Sequence, residues 1–242
     1  MGDPIIPNAF RPLGLAHLIV IGLTIALPFI LAAFVRRSRW PRSERIIGLL
    51  LAGLLVVNYV GYEIYLGATA GLEWKKVLPF QLCDWAMISI VVAVLTGRER
   101  WLEVAYFWGI GGTLQAILTP DLKFAFPHIR FLTFFIAHSG IVVAIAFMMI
   151  VKRYRPRWFS IVRVFAWSEL YFVLTFIVDL LTGENYGYLL HPPASASLLD
   201  ALSSNRILYL LEMHLLALVF YVVLYLPFAL YDAITSARQK LV

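Results

Sequence analysis

Long apolar segments separated by short polar ones dominate the hydrophobic pattern of this 242-residue chain. Each segment is bounded by a charged run, a proline or a polar cluster, and most approach the ~20 residues that a helix needs to cross a bilayer. Alternating segments of about ten residues, typical of membrane barrels, are not present. The pattern predicts an all-α, polytopic membrane helix bundle with seven transmembrane helices, at about 13–35, 46–66, 80–96, 101–118, 129–151, 159–181 and 207–230.

The third predicted span is the shortest of the seven. It is bounded by Pro79 and by the charged turn at 97–100, so it lies at the low end of spanning length, about 17 residues. Six or eight spans are the alternatives. No soluble domain, low-complexity segment or internal repeat separates the apolar segments, and we therefore expect a single integral membrane domain over residues 1–242.

Composition supports the membrane class independently of the pattern. Hydrophobic residues make up 62% of the chain, charged residues make up 14%, and the mean hydropathy is +0.84. A soluble domain is much less apolar than this. The chain is therefore expected to be a multi-pass integral membrane protein, in the inner membrane if its source is bacterial.

Basic residues are distributed unequally between the two sides of the predicted bundle. The segments 36–45, 97–100 and 152–158 and the tail after 230 hold thirteen of the twenty lysines and arginines. Because cytoplasmic loops are enriched in these residues, the N-terminus is predicted to lie outside and the C-terminus in the cytoplasm. The net charge of +6 is then explained by topology and by anionic lipid. A nucleic-acid partner is not expected.

Four predicted spans place a polar side chain at the same depth. At 1.5 Å per residue, each lies about 18–21 Å from the predicted cytoplasmic boundary. Further polar residues lie nearer the outer face, and the longest connections are on that side. We therefore expect a polar cavity that opens to the non-cytoplasmic side, although simple interhelical hydrogen bonds are the alternative. The four residues are Cys83, His138, Asn58 and Gln115, and those nearer the outer face are His17, Tyr62, Glu63, Asp179, Glu212 and His214.

The only cysteine is a candidate nucleophile. Pro79 suits the first turn of a helix, so Cys83 is expected about one turn from a helix N-terminus, where the dipole favours a thiolate. A buried small hydrophobe is the alternative. His138 is predicted at the same depth, and a thiol beside an imidazole is the arrangement used in acyl transfer. For His138 the alternative is a hydrogen bond to Asn58 or Gln115.

Other chemistry is less well supported by the sequence. The five histidines and one cysteine show no zinc-binding spacing, so neither a metal nor another cofactor is expected. The carboxylates Glu63, Asp179 and Glu212 are candidates for a proton relay, which keeps a transporter as an alternative. The glycine-rich stretch 109–112 predicts close approach of a neighbouring helix, or otherwise room for an acyl chain.

Several motifs occur together in order along the chain. They are LPFQLCD at 78–84, YFWGIGGTLQAILTPDL at 106–122, FPH at 126–128 followed by FF at 134–135 and His138, and NYGYL at 185–189. The set resembles the TMEM164-like family of integral membrane proteins, which includes bacterial YwaF and a human ether-phospholipid acyltransferase. The resemblance extends from about residue 58 to 225, and the motif at 106–122 is its most specific part.

This resemblance implies an enzyme that transfers acyl groups on glycerophospholipids. Cys83 corresponds to the proposed acyl-accepting nucleophile and His138 to its partner. The acyl group would pass from a thioester on Cys83 to a lysophospholipid or to water, so both transferase and hydrolase are implied. The expected partners are membrane phospholipid and lysophospholipid. A small-molecule or proton-coupled transporter and a non-catalytic sensor or scaffold are the alternatives.

Supporting roles are assigned to residues near this pair. Gln81, Gln115 or N–H groups at the start of the third span are expected to bind the oxyanion. Asn58, Tyr62 or Asp84 are expected to orient the imidazole, although Asp84 is about 100° from Cys83 around the helix axis. Arg130 is the strongest candidate to hold a lipid phosphate. The full predicted substrate-binding set is Asp121, His128, Arg130, Asn185, Tyr186, Glu212 and His214.

Overall fold

The computed structural model describes residues 9–71, 73–193 and 197–239, with side chains described as far as residue 236. The predicted outer position of residues 1–8 and the contribution of Lys240 to the basic tail lie outside this part. Within it, regular secondary structure is helical, apart from an isolated β-bridge between Ala9 and Phe124. The predicted all-α class is confirmed.

The helices follow the predicted apolar segments closely. In chain order they are α1 (Leu15–Arg37), α2 (Ser43–Ala70), α3 (Trp74–Val77), α4 (Leu82–Thr96), α5 (Glu99–Ala105), a π-helical segment (Tyr106–Thr113), α6 (Leu114–Leu118), α7 (Ile129–Lys152), α8 (Trp158–Thr182) and α9 (Arg206–Gln239). Short 3₁₀ turns occur at Tyr186–Tyr188 and Leu198–Ala201.

Five of these helices are long and apolar enough to cross a membrane: α1, α2, α7, α8 and α9. Their outward faces carry many exposed Leu, Ile, Val and Phe side chains, as lipid contact requires. Helix α4 is apolar but has only 15 residues, and the predicted span at 101–118 is divided among α5, the π-helical segment and α6. The molecule is therefore a multi-pass helical membrane protein, while crossings by these two stretches stay a prediction.

Helix α7 lies at the centre of the bundle. It packs against α1 and α2 on one side and against α4, α5, the π-helical segment and α6 on the other, whereas α9 packs against α8 and the π-helical segment. Nine residues of α7 are buried, among them Phe135, Ile145 and Phe147. The residues in the N-terminal half of α7 are therefore placed beside both α2 and α4.

The glycines of the π-helical segment allow its neighbours to approach closely. A Cβ atom at Gly109 would overlap Ile145 of α7, and one at Gly112 would lie 2.9 Å from Cδ2 of Leu82 in α4. Real Cβ contacts are longer, so a larger residue at either position would force the end of the Ile145 or Leu82 side chain to move. The predicted close approach of a neighbouring helix at this stretch is confirmed, and it fixes the start of α4 against the bundle.

Candidate active site

A cavity of about 420 Å³ lies between α2, the start of α4, the N-terminal half of α7 and the connection from α6 to α7. We call it the cysteine cavity. Cys83 and His138 both line it, although 55 positions separate them in the sequence. Of the other predicted site residues, the structure places Asn58, Tyr62, Gln81, Asp84, Asp121, Arg130 and Tyr186 in the same lining.

Cys83 is held in the first turn of α4 by several hydrogen bonds around that turn. Gln81 is the N-cap residue, and its backbone N–H donates to Oδ2 of Asp84 at 3.0 Å, forming a capping box. The indole N–H of Trp85 donates to the Pro79 carbonyl at 2.9 Å, and the Tyr171 hydroxyl donates to the Phe80 carbonyl at 2.9 Å. The half-buried thiol therefore sits on a rigid turn. Asp84 builds this turn and does not contact the imidazole through a hydrogen bond.

His138 has a defined tautomer in this arrangement. Its Nδ1 atom lies 2.8 Å from the carbonyl oxygen of Phe134, one helical turn earlier. A carbonyl only accepts, so Nδ1 carries the proton and Nε2 is left with a free lone pair. The ring also packs on Phe134, with ring centroids 4.2 Å apart. No hydrogen bond joins His138 to Cys83, Asn58 or Gln115, so the imidazole nitrogen that can take a proton is uncommitted.

Asn58 joins α2 to α7 beside His138. Its side-chain N–H donates to the backbone carbonyl of Thr133 at 3.0 Å. The interhelical role that was the alternative for these polar residues is therefore real for Asn58, although it involves a backbone carbonyl. Tyr62 lines the cavity one turn further along α2 and packs on Tyr65, with ring centroids 6.3 Å apart.

Arg130 places a guanidinium at the mouth of the cavity. Arg130 is exposed and lies over the ring of Phe124, with 5.4 Å between the guanidinium carbon and the ring centroid. The ring of His128 stacks on the same Phe124 ring, with ring centroids 4.1 Å apart. Its Nδ1 accepts the backbone N–H of Arg130 at the start of α7. His128 is thus a helix cap that fixes Arg130, and it does not itself line the cavity. Lys123 also lines the cavity, whereas Lys76 is ion-paired with Glu73 at 2.7 Å, and the carboxylates of Glu63, Asp84 and Asp121 lie in the same lining.

The segment that follows α8 closes one wall of the cavity. Asp179 is fully buried, and its Oδ1 accepts the N–H of Tyr186 at 2.8 Å. The Tyr186 hydroxyl donates to the Lys75 carbonyl, and burial raises the pKa of this hydroxyl, which keeps it protonated as a donor. The N–H of Gly187 donates to Oε1 of Gln81 at 3.1 Å.

Asn185 shapes that segment without entering the cavity. Its Oδ1 accepts the N–H of Leu190 at 2.9 Å, and its Nδ2 donates to the carbonyl of His191 at 2.8 Å. Both bonds close the turn locally. Asn185 therefore holds the turn that follows Tyr186, and its contact with substrate stays a prediction.

Besides His128 and Asn185, three more predicted residues are not brought to the cysteine cavity. Gln115 is exposed on α6, because the π-helical segment before it changes the helical register. Oε2 of Glu212 accepts the N–H of Ser203 at 2.6 Å, and Nε2 of His214 lies 3.3 Å from Oε2 of Glu169. Both belong to α9, which packs against α8 and the π-helical segment, so their predicted depth near the outer face did not imply that they lie in this cavity.

Sequence reasoning missed four polar lining residues: Tyr59, Lys76, Lys123 and Thr133. Only Lys123 carried a signal, since it follows directly on the motif that ends at residue 122. The side chain of Tyr59 reaches the Val77 carbonyl at 3.4 Å, a contact between α2 and α3 that no local pattern predicts. Among the described residues, no group of three or more His, Cys, Asp and Glu side chains is arranged to hold a metal ion.

The fold and this cavity define a class: a multi-pass helical membrane protein with a thiol, an imidazole and a guanidinium in one polar cavity. Within that class, the chain belongs to the TMEM164 family, whose model matches residues 12–225. The match includes every lining residue of the cysteine cavity.

One relative is an uncharacterised protein of Treponema pallidum (strain Nichols), 29% identical over 116 residues. The aligned region covers 48% of this chain and 45% of that protein, so the chain spans about half of its relative's length. No solved structure matches the chain.

Proposed function

We propose that the protein is a membrane-embedded lipid-modifying enzyme that transfers acyl groups on glycerophospholipids through a thioester on Cys83. The observation that carries the proposal is the presence of Cys83 and His138, which are far apart in the sequence, in one cavity with the guanidinium of Arg130. The three groups match the three parts of the reaction. They are a nucleophile, a base, and cations for the phosphate of the lipid.

In the first half-reaction, Nε2 of His138 takes the thiol proton and the sulfur of Cys83 attacks the ester carbonyl of a phospholipid. The bond from carbonyl carbon to ester oxygen breaks, and His138 returns the proton to the leaving oxygen. The products are a lysophospholipid and the thioester. The hydrogen bond from Nδ1 to Phe134 at 2.8 Å selects the tautomer that this step needs.

In the second half-reaction, a hydroxyl of an acceptor lysolipid, or of water, replaces the first leaving group. His138 takes the hydroxyl proton while the oxygen attacks the thioester carbonyl, and the proton then returns to the sulfur. The acyl group leaves on the acceptor, and the thiol is regenerated. With a lysolipid the outcome is transfer, and with water it is hydrolysis.

Stabilisation of the oxyanion is assigned to the first turn of α4. The backbone N–H of Cys83 at this helix N-terminus is assigned to the developing negative charge, since the N–H of Asp84 donates to the Gln81 carbonyl at 3.0 Å. The Gln81 side chain has its oxygen committed to Gly187, which leaves its amide N–H₂ as a donor. Arg130 at the mouth is assigned to the phosphate, with Lys76 and Lys123 beside it.

The proposal is tested by covalent capture. Purified protein supplied with a phospholipid is expected to gain one adduct of acyl mass on Cys83, sensitive to hydroxylamine and absent in Cys83→Ala. Turnover that survives Cys83→Ala, together with loss of function in Glu212→Gln, would reject the cysteine mechanism. That result would support the proton-coupled carrier instead. Retention of every measurable function in both variants would support a non-catalytic sensor or scaffold.

We also propose that all seven predicted segments cross the membrane and that the cysteine cavity faces the non-cytoplasmic side. The basic loop at 36–45, before α2, is expected in the cytoplasm, and seven crossings then place the connection after α8 on the other side. In a Cys83→Ser background, a cysteine at exposed Ala201 should react with an impermeant reagent in intact cells, whereas one at exposed Arg39 should react only after lysis. The reverse labelling pattern would contradict the orientation.

A further inference from the structure

A second cavity of about 1010 Å³ lies between α5 and α8, near the end of α4 that is remote from Cys83. We call it the arginine groove. Its rim residue Arg98 follows the end of α4, whereas Cys83 lies at the start of that helix. At 1.5 Å per residue, α4 separates the two by about 22 Å. A single ligand in the cysteine cavity therefore does not occupy the groove.

One guanidinium of the groove is held rigidly. Nε and Nη2 of Arg163 donate to the two carboxylate oxygens of Glu103, both at 2.8 Å. This bidentate pair neutralises Glu103 and fixes the plane of the guanidinium. The Arg163 side chain is still 47% exposed, which leaves its remaining N–H groups facing the groove or its opening.

Two further guanidinium groups are available at the rim. Arg98 and Arg100 are exposed, and within the part of the chain that the structure describes neither forms an ion pair. With Glu99 also in the lining, the five charged side chains of the groove carry a formal net charge of +1. That charge complements one phosphodiester.

The wall beside this rim is apolar. Trp101 and Trp167 pack together with ring centroids 5.6 Å apart, and Val104, Ala166 and Leu170 continue the surface. Tryptophan is enriched where a membrane protein meets the headgroup region. A cationic rim above an aromatic and aliphatic wall has the polarity of a phospholipid, with a charged head and an apolar tail.

We propose that the arginine groove binds one anionic glycerophospholipid, with its phosphate on Arg98 and Arg100 and its acyl chain along Trp101 and Trp167. Arg163, fixed by Glu103, forms the boundary between the two parts. This site lies outside the proposed reaction, and it does not depend on the chemistry assigned to Cys83. Its ligand is selected by charge, so phosphatidylglycerol is bound in preference to phosphatidylcholine.

The test is photo-crosslinking of the full chain in nanodiscs, using phosphatidylglycerol with a diazirine in one acyl chain. Peptide mapping should place label on the segments 101–104 and 166–170. Arg98→Gln/Arg100→Gln should reduce this label about tenfold. The matched control Arg36→Gln/Arg37→Gln, which removes two exposed charges at the end of α1, should leave it unchanged.

Ala166→Phe provides a second variant that fills the groove and keeps every charge, and it should also reduce the label. Label near Phe134 reports separately on the cysteine cavity, so failure of this proposal and failure of the proposed function are distinguishable. Equal labelling by the phosphatidylcholine analogue, equal label in the two double variants, or displacement by inorganic phosphate would overturn the assignment.

Discussion

The cysteine cavity and the cluster around Glu103 are both polar sites inside an apolar bundle, but they use their polar groups differently. Glu103 accepts hydrogen bonds from the Tyr154 hydroxyl at 2.8 Å, the Ser160 hydroxyl at 2.6 Å and two nitrogen atoms of Arg163 at 2.8 Å. Burial and the adjacent carboxylate raise the pKa of Tyr154, so its hydroxyl remains a donor. The carboxylate of Glu103 therefore has little capacity left to accept a hydrogen bond from a ligand.

In the cysteine cavity the corresponding groups are left open. Nε2 of His138, the thiol of Cys83 and the guanidinium of Arg130 have no side-chain hydrogen-bond partner among the described residues, while the backbone around them is well bonded. A polar cluster that satisfies itself stabilises a fold, and one that keeps free donors and acceptors on a rigid frame is suited to a ligand. The predictions below test this distinction.

The largest expected effect is that of removing the base from the cavity. His138→Ala should slow formation of the acyl adduct on Cys83 by about 10²–10⁴-fold, the usual reach of a general base. Because His138 makes its only hydrogen bond to a carbonyl of its own helix, the free energy of unfolding should change little. Rapid-quench measurement of adduct formation checks the rate. An unchanged rate would remove His138 from the mechanism.

A smaller effect, on stability, is expected at the satisfied cluster. Glu103→Ala should lower the free energy of unfolding by about 2–3 kcal/mol, which is less than for a fully buried pair because Arg163 remains in reach of water. The control Glu99→Ala, at an exposed neighbouring carboxylate, should stay within about 0.5 kcal/mol. Denaturant titration in mixed micelles measures both.

Adduct formation by the remaining folded Glu103→Ala protein should be close to wild type. A variant that loses the chemistry while keeping its stability would show that the two sites are coupled, and the distinction between them would fail.

The smallest effect is expected where the cavity wall depends on one glycine. Gly187 has φ of +59°, and an added Cβ would lie 2.6 Å from the Tyr171 hydroxyl, so Gly187→Ala combines backbone strain with a clash. Gly183→Ala, with φ of +77° and open space around it, has the strain alone. We expect Gly187→Ala to be less stable by about 1–2 kcal/mol than this control.

Tyr171→Phe removes the clashing hydroxyl and should recover part of that difference in the double variant. A double-mutant cycle of unfolding free energies measures the coupling. Additive effects would show that Gly187 is not held against Tyr171 in the membrane.

The long helices could be predicted from hydrophobic length, because every lipid-facing turn must be apolar and the ends are marked by charge. The depth of polar residues also predicted correctly that Asn58, Cys83 and His138 share a cavity. This worked because α2, α4 and α7 are neighbours in the bundle. Depth alone was insufficient for Glu212 and His214, since the order in which helices pack around an axis leaves no periodic signal.

The other differences arise from backbone geometry. Gln115 was predicted at the depth of Cys83 from a rise of 1.5 Å per residue, which assumes an α-helix throughout, but a π-helical segment precedes it and its side chain is exposed. Asn185 and His128 were predicted to contact lipid because they are polar and near the outer surface. Their side chains instead satisfy backbone groups that a sharp turn and a helix N-terminus leave open. Local polarity does not distinguish these uses.

The π-helical segment Tyr106–Thr113 also makes the number of residues at this point as important as their identity. Deleting one residue would bring the segment closer to an α-helix, because a π-helical turn holds about one residue more than an α-helical turn. The residues before and after the segment would keep their faces, and so would the connection after α6 that carries Asp121 and Lys123 into the cavity lining. A substitution here alters one contact, whereas a single-codon deletion would reset the contacts of the segment's own glycines while preserving every side chain that lines the cavity.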